Sequence, residues 1–261
     1  MAKGMIRLVT VCAVLCCQAS SAMPDIWSWG DNWLLDPGLG RSQGNGDYTF
    51  PLDVRAGYWR TAWRDAKLDI ESELSGFYQL GAFTTMDRYR FALTGSQGHF
   101  APAEARPSFF GGDRLEIDLS MGYRLHPTFA VFGGWRIVRY AYDYEEADEG
   151  EGGVRMTADP TYAGFQAGLL LAVPLHHRIV PFGCMSSYRL TAEGDYSPVT
   201  GSHSEWGVAI RPTAKPLSLI VGHLTQKLGS RGESGRGSDE RFSGIALRLS
   251  YVFSIETPDR P

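Results

Sequence analysis

The chain has 261 residues, a formal net charge of −4 and a mean hydropathy of −0.19. That balance lacks the basic footprint of a nucleic-acid binder, and no stretch reaches the ~18 consecutive apolar residues of a membrane-spanning helix. The 31 glycines and the 12% of aromatic residues favour strands and turns, in one large β domain or two small ones.

The first residues have the pattern of a secretory signal. Lys3 and Arg7 precede the apolar run "LVTVCAVLCC", and "QASSA" then places Ser20 and Ala22 at the −3 and −1 positions of an expected cleavage after Ala22. Cys16 and Cys17 lack the small preceding residue that lipid attachment requires. Removal of residues 1–22 leaves Cys184 alone, so the mature chain is expected to hold together by ladder hydrogen bonds and packing, without a disulfide. Residues 23–50, rich in Gly, Asp and Trp without a clear period, read as an N-terminal extension.

From Pro51 the chain becomes a series of hairpins. "PLDVRAGYWRTAW" and "AKLDIES" read as a first pair, and "DRYRFALTGSQ" rises from a turn. The stretch 113–125 follows with unbroken alternation. Leu115, Ile117, Leu119, Met121, Tyr123 and Leu125 share one face, while Arg114, Glu116, Asp118, Ser120, Gly122 and Arg124 share the other. A period of two describes a strand and not a helix. After His126-Pro127 the strand "TFAVFGGWRIVRYAYDY" returns, and "TYAGFQAGLLLAV" turns through "PLHH" into "RIVPFGCMSSYRL". "HSEWGVAIR" turns through "PTAKP" into "LSLIVGHLTQK", and "RFSGIALRLSYVFSI" closes the series. The first of these strands is not clean, because Arg60 and Arg64 share the parity of Val54 and Tyr58.

The connections fall into two populations that alternate strictly. "HP", "PLHH" and "PTAKP" are short, whereas "EEADEGEGGVRMTADP", "TAEGDYSPVTGS" and "LGSRGESGRGSDE" are long and polar. A soluble sandwich has no reason to sort loop lengths by end. A transmembrane up-and-down barrel does, with tight turns at one rim and longer loops at the other, apolar residues toward lipid and polar residues toward the lumen. Seven strands run from Asp113 to Phe253. Adding 52–64, 66–71 and 87–97 gives ten, the preferred count; 52–64 alone gives eight, the alternative. The expected fold is all-β, an antiparallel up-and-down transmembrane β-barrel over 51–254, with a tail at 255–261.

These features resemble bacterial outer-membrane β-barrel proteins of the small OmpA/OmpW/OmpX kind. The resemblance rests on the signal pattern, the hairpin series, turns such as "GYRLHPTFAVFGGWRIV" and "PLHHRIVPFGC", and the closing "LRLSYVF". It implies the outer membrane as location, outer-membrane lipid and lipopolysaccharide as surroundings, and barrel-assembly machinery as a partner during biogenesis. Tyr251 and Phe253 match the closing aromatic signal of such chains, although "SIETPDRP" follows. No nucleic-acid partner and no cofactor are expected.

The candidate site is a lumen charge network of Arg114, Glu116, Asp118, Arg136, Glu205, Arg211 and Arg248. In a narrow barrel such charges neutralise one another and fill the interior; a selective pore or a proton-linked pair is the functional alternative. "SHSEW" offers a rival. His203 and Glu205 share a face and resemble a base–orienter pair, with Ser204 on the opposite face. A nucleophile would come from Ser186, Ser187 or Tyr188. His176-His177 lack further metal ligands. The acidic run Asp143, Glu145, Glu146, Asp148, Glu149 and Glu151 lacks the spacing of a hand-type calcium loop. Arg231, Arg236 and Arg241 lie in the last long loop, where cations could touch anionic headgroups, with a mobile loop as the default expectation. Trp59 and Trp63, with Tyr140, Tyr142 and Tyr144, read as interfacial girdles. The expected role is structural or surface-exposed, or that of a narrow conduit for small or hydrophobic solutes. The alternatives are a lipid-modifying hydrolase and a soluble periplasmic β-barrel or sandwich binder.

Overall fold

The computed structural model describes residues 49–66, 70–72, 75–86, 88–102, 109–146, 154–173, 175, 178–192, 197–212, 217–230 and 239–256. The strands are β1 (Thr49–Asp65), β2 (Ile70–Glu71), β3 (Ser75–Met86), β4 (Tyr89–Phe100), β5 (Phe109–His126) and β6 (Phe129–Glu146). After them come β7 (Val154–Ala158), β8 (Thr161–Ala172), β9 (Ile179–Ala192), β10 (Val199–Ile210), β11 (Leu217–Ser230) and β12 (Asp239–Glu256).

Ten of these form one antiparallel ring in the order β1, β3, β4, β5, β6, β8, β9, β10, β11, β12. The ring closes where β12 pairs with β1, from Thr49↔Glu256 to Asp65↔Glu240. Closure removes both sheet edges, so every wall strand pairs on two sides. β2 and β7 are short additions to β1 and β6.

The count of ten is as expected, but one strand differs. The stretch 66–71 is not one of the ring strands; among its described residues Ile70 and Glu71 pair with the end of β1. The wall strand is instead β3, which has aromatic residues on both faces: Phe77 is buried while Tyr78 is 72% exposed. That doubling hides its period.

The hairpin connections β3–β4, β5–β6, β8–β9 and β10–β11 lie at one rim, together with the start of β1 and the end of β12. This is the turn end. The longer connections leave from the opposite rim, the loop end. One irregularity marks the loop end of β5, where the register with β6 shifts between Phe109 and Gly111. Gly111 has φ +132°, and a Cβ there would meet the Phe100 carbonyl oxygen at 2.6 Å. The bend therefore requires glycine.

The outside of the ring is apolar. On β5, Leu115, Leu119, Met121 and Leu125 are exposed, and Leu119 is matched in register by Leu93 on β4 and Trp135 on β6. Phe165, Leu169, Leu171, Ile245, Leu247 and Leu249 continue this surface. Exposed apolar residues in a continuous band, with charges enclosed, give the face pattern of a membrane-spanning barrel. In water so large a patch would drive association.

The inside has three layers. A large aromatic cluster fills the loop-end half, built from residues that include Trp59, Trp63, Phe77, Phe100, Tyr140 and Phe242. A smaller apolar cluster near the turn end includes Ala130, Ala172, Val180, Ala209 and Ile220. Charged and amide side chains lie between them.

The girdle assignment of Trp59, Trp63 and Tyr140 is thereby corrected. Each is no more than 2% exposed and points into the lumen, and Tyr142 packs against the same cluster. Tyr144 lies in β6, but its side chain is outside the described residues. At the loop end of a sealed barrel the usual polarity inverts: the inner face becomes an apolar core, while Arg60 and Arg64 face outward. The outward aromatics are different residues, among them the exposed ring pairs Tyr58–Tyr78 at 5.5 Å and Trp135–Phe165 at 4.7 Å, and exposed Tyr89 against half-buried Tyr123 at 5.2 Å.

Candidate functional site

The alternation of β5 turns Arg114, Glu116 and Asp118 toward the lumen, where Arg114 and Glu116 are almost fully buried. Register then supplies their partners. Asp118 lies directly opposite Arg136 on β6, whose Nε and Nη2 donate to its two carboxylate oxygens at 2.6 and 2.9 Å. Arg136 Nη2 also lies 3.1 Å from Glu116 Oε1, and Arg114 Nη2 donates to Glu116 Oε2 at 2.6 Å. Two arginines thus share one carboxylate, and a second carboxylate completes the balance.

Amides extend the network across the lumen. Gln166 on β8 donates to Asp118 at 3.1 Å. Gln226 on β11 donates to both oxygens of Glu116 at 3.1 and 3.2 Å. β5 and β11 are on opposite sides of the ten-strand ring, so the Gln226–Glu116 contact spans the bore. Buried charges in a low-dielectric interior are tolerable only when paired; these residues pair mutually, while Arg114 Nε and Nη1, Arg136 Nη1 and Gln226 Oε1 are buried without a hydrogen-bond partner among the described residues.

A second group lies toward the turn end. Arg248 on β12 holds the carboxylate of Glu205 on β10 with two nitrogens, and its Nε donates to Gln79 at 2.7 Å. Arg55 donates to Asp53, which also accepts from Ser250 at 2.6 Å. Arg211 follows the last residue of β10, and its backbone N–H donates to the Arg178 carbonyl at 2.9 Å. Asp53, Arg55, Gln79 and Gln226 were not singled out from sequence. Their lumen parity is the signal that would have found them.

The aromatic cluster presses on this layer from above. The Arg114 guanidinium lies 4.5 Å from the Phe242 ring centroid, and that of Arg136 lies 4.6 Å from Tyr188. Cation–π contact of this kind strengthens when water is excluded. Phe242 is also within 5.7 Å of Phe100 and 5.8 Å of Phe77, edge to face in both cases. The Tyr142 hydroxyl donates to Glu240 on β12 at 2.7 Å, a second link across opposite strands.

Below the network is a cavity of about 280 Å³. Its wall runs from Glu116 and Gln226 down to Pro51 and Thr85, with Phe83, Phe132, Phe182 and Leu170 supplying apolar surface. Phe83 is flanked by the guanidinium groups of Arg55 and Arg90 at 4.2 and 4.3 Å. The volume lies just under the ~300 Å³ lower bound of ordinary small-molecule pockets.

The "SHSEW" segment lies within β10, not at a loop end. His203 faces Ser186 across the β9–β10 ladder, and both line the cavity. Glu205 is held by Arg248, while His203 Nδ1 lies 3.3 Å from Gln226 Nε2. The carboxylate that would orient a general base is therefore engaged elsewhere. The Tyr188 hydroxyl donates to the Lys227 carbonyl at 2.7 Å, and Ser187 is exposed on the outer face. These residues do not assemble as a nucleophile, base and orienter in sequence.

No protein-family model matches the sequence, and no curated protein matches it significantly. Among solved structures, the chain is similar to the beta domain of the Bordetella autotransporter BrkA, with 11% identity, a TM-score of 0.45, and coverage of 78% of this chain and 98% of that one. The translocator domain of the autotransporter NalP from Neisseria meningitidis shares 13% identity at a TM-score of 0.43, covering 83% of this chain and 91% of that one. The outer membrane protease OmpT from Escherichia coli shares 12% identity at a TM-score of 0.41, covering 78% and 97% respectively.

Among the described residues, no group of three or more His, Cys, Asp or Glu side chains comes together to hold a metal ion. His176, His177, Asp148, Glu149, Glu151, Arg231 and Arg236 lie outside the described residues.

Proposed function

We propose that this chain is an outer-membrane barrel with a sealed lumen, serving as a wall-anchored surface protein rather than an open conduit. The observation that carries this reading is the aromatic cluster set directly on a charge network whose Gln226–Glu116 contact spans the bore. Ions crossing this lumen would have to displace buried rings and break paired charges. The apolar exterior and the alternation of turns and loops support the membrane location, and the signal-like residues 1–22 support export. The likeness of "GYRLHPTFAVFGGWRIV" and "LRLSYVF" to barrels of the small OmpA/OmpW/OmpX kind supports the same assignment. In this reading the loops face outward, the turns face the periplasm, outer-membrane lipid surrounds the belt, and barrel-assembly machinery inserts the chain.

The test combines fractionation, heat-dependent migration in SDS and planar-bilayer recording. The expected outcome is recovery with outer membranes, a shift on boiling and no steady conductance. Recovery in the soluble periplasm without a shift would reject the membrane reading. Stable single-channel steps from the unmodified chain would reject the sealed lumen. A second reading, a small-solute site opening toward the turns, is favoured by the cavity beside Phe83, Arg55 and Arg90. It predicts saturable binding of a small solute, abolished by filling the cavity with a larger side chain at Cys184.

A further inference from the structure

The outer face is not uniform around the ring. On the wall formed by β4, β5, β6 and β8, the apolar rows are followed by positions whose charges have partners. His99 Nδ1 lies 3.0 Å from Asp113, and Arg139 lies 3.3 Å from Asp159. The wall formed by β10, β11, β12 and β1 differs.

Its rows can be followed through the register. Val221, Leu247 and Tyr58 form an apolar row, and the next one toward the loop end holds Trp206, His223, Ile245 and Arg60. After it comes Ser204, Thr225, Ser243 and Ala62, and then Ser202, Lys227, Arg241 and Arg64. Lys227 is paired with Arg241, and Arg241 with Arg64, so three cations stand side by side on adjacent strands, all exposed on the outer face. Like charges directly opposite one another in a sheet are destabilising, and among them Arg64 is paired with Glu71 at 3.2 Å. Below the cations, Thr225 Oγ1 and Ser243 Oγ are 3.1 Å apart and Ser243 Oγ is 3.4 Å from His223 Nε2. Hydroxyls therefore continue the polar surface down to the level of Trp206.

Trp206 and Tyr58 fix the height of this patch. Tryptophan and tyrosine on the outside of a barrel sit at the headgroup boundary. The cation row is four residues beyond Trp206 and Arg60, ~13 Å along the strands. It therefore lies among headgroups, on the side of the long loops.

We infer that the outer face of β11, β12 and β1 is a docking site for a phosphorylated glycolipid of the outer leaflet, of the lipopolysaccharide type. Its phosphates lie against Lys227, Arg241 and Arg64, its sugar hydroxyls against Thr225 and Ser243, and its acyl chains on the apolar rows below. The charge complementarity selects an anion, and the hydroxyl surface beneath it selects a sugar-bearing headgroup over a plain phosphodiester. This inference rests on the outer-membrane reading above and names the lipid partner that reading implies.

The experiment uses the full mature chain, purified in detergent and checked for the heat-dependent shift, with binding followed by native mass spectrometry. The probes are bisphosphorylated lipid A, its dephosphorylated form and phosphatidylglycerol. The variants are K227Q/R241Q and, on the opposite wall, R139Q. Expected are a loss of at least tenfold in lipid A affinity for K227Q/R241Q, unchanged binding for R139Q, and weaker binding of the other two lipids to the unmodified chain. Equal lipid A binding by K227Q/R241Q, or equal affinity for phosphatidylglycerol, would overturn the site. So would efficient crosslinking of two chains through cysteine at position 227 in native membranes, which would make this face a contact between copies. Failure of the chain to insert into phospholipid vesicles would instead refute the membrane reading itself, which separates the two failures.

Discussion

The two halves of the lumen solve the same filling problem differently. Toward the loops, Trp59, Trp63, Phe77, Phe100, Tyr140 and Phe242 interlock as a solid core. Toward the turns, a thinner apolar cluster and a cavity of about 280 Å³ share the space with Arg55, Arg90, Arg248 and Glu205. The first half resembles the interior of a soluble protein, and the second leaves room. The difference locates the seal in one half of the molecule and any capacity for a guest in the other.

Substitutions sharpen that contrast. Phe242→Ala removes a fully buried ring that touches Phe77, Phe100 and the Arg114 guanidinium. It is expected to cost ~4 kcal/mol, as large core truncations do, read as a lower denaturant midpoint for unfolding from lipid vesicles. The same variant should also conduct in bilayers where the parent does not; a silent, equally stable variant would break the comparison.

Glu116→Gln acts at the boundary between the halves. It leaves Arg114 and Arg136 with Asp118 as the remaining carboxylate of that cluster. Removing one partner of a buried ion pair costs ~3 kcal/mol, so the heat-shift temperature should fall clearly. An unchanged temperature would show that the network fills space without contributing charge balance.

Leu119→Arg tests the other side of the same wall. Leu119 is 59% exposed beside Leu93 and Trp135. A lipid-facing arginine there should cost up to about 2 kcal/mol, less than at the midplane because Trp135 beside it marks the approach to the interface. In a soluble barrel the change would be neutral or would improve solubility. Ile220→Val, in the turn-end cluster, should cost about 1 kcal/mol or less, with no conductance. A large effect there would mean that the looser half also holds the seal.

The sequence made the barrel legible where lumen and lipid impose opposite chemistry. That holds for 113–125, 161–173 and 241–253, in the middle of the wall. It misled at the loop end, where the lumen is apolar and the outer face is charged, so the usual code runs backward. Trp59 and Trp63 share parity with Asp53 and Asp65, yet Arg60 and Arg64 on the other parity obscured that face. "AKLDIES" alternates like a wall strand, yet its described strand is the two-residue β2, while β3 concealed itself by placing Phe77 and Tyr78 in succession. The candidate charges Arg114, Glu116, Asp118 and Arg136 were readable from parity. Which of them pair depends on register, and no single strand encodes register. The position of Arg211 beyond the end of β10 is likewise a boundary effect that alternation alone does not reveal.

The seam between β1 and β12 has a consequence for how the molecule forms. Every other wall strand finds a partner next to it along the chain, so hairpins can zip locally. This one pairing joins Thr49 to Glu256 and must bridge the full length of the sheet. Until it forms, two long strands present unpaired backbone amides and carbonyls, the surface on which β-rich chains aggregate. A contact so distant along the chain is slow to find unaided. Protecting the open sheet until that seam closes is therefore as much a demand of this topology as any side chain inside it.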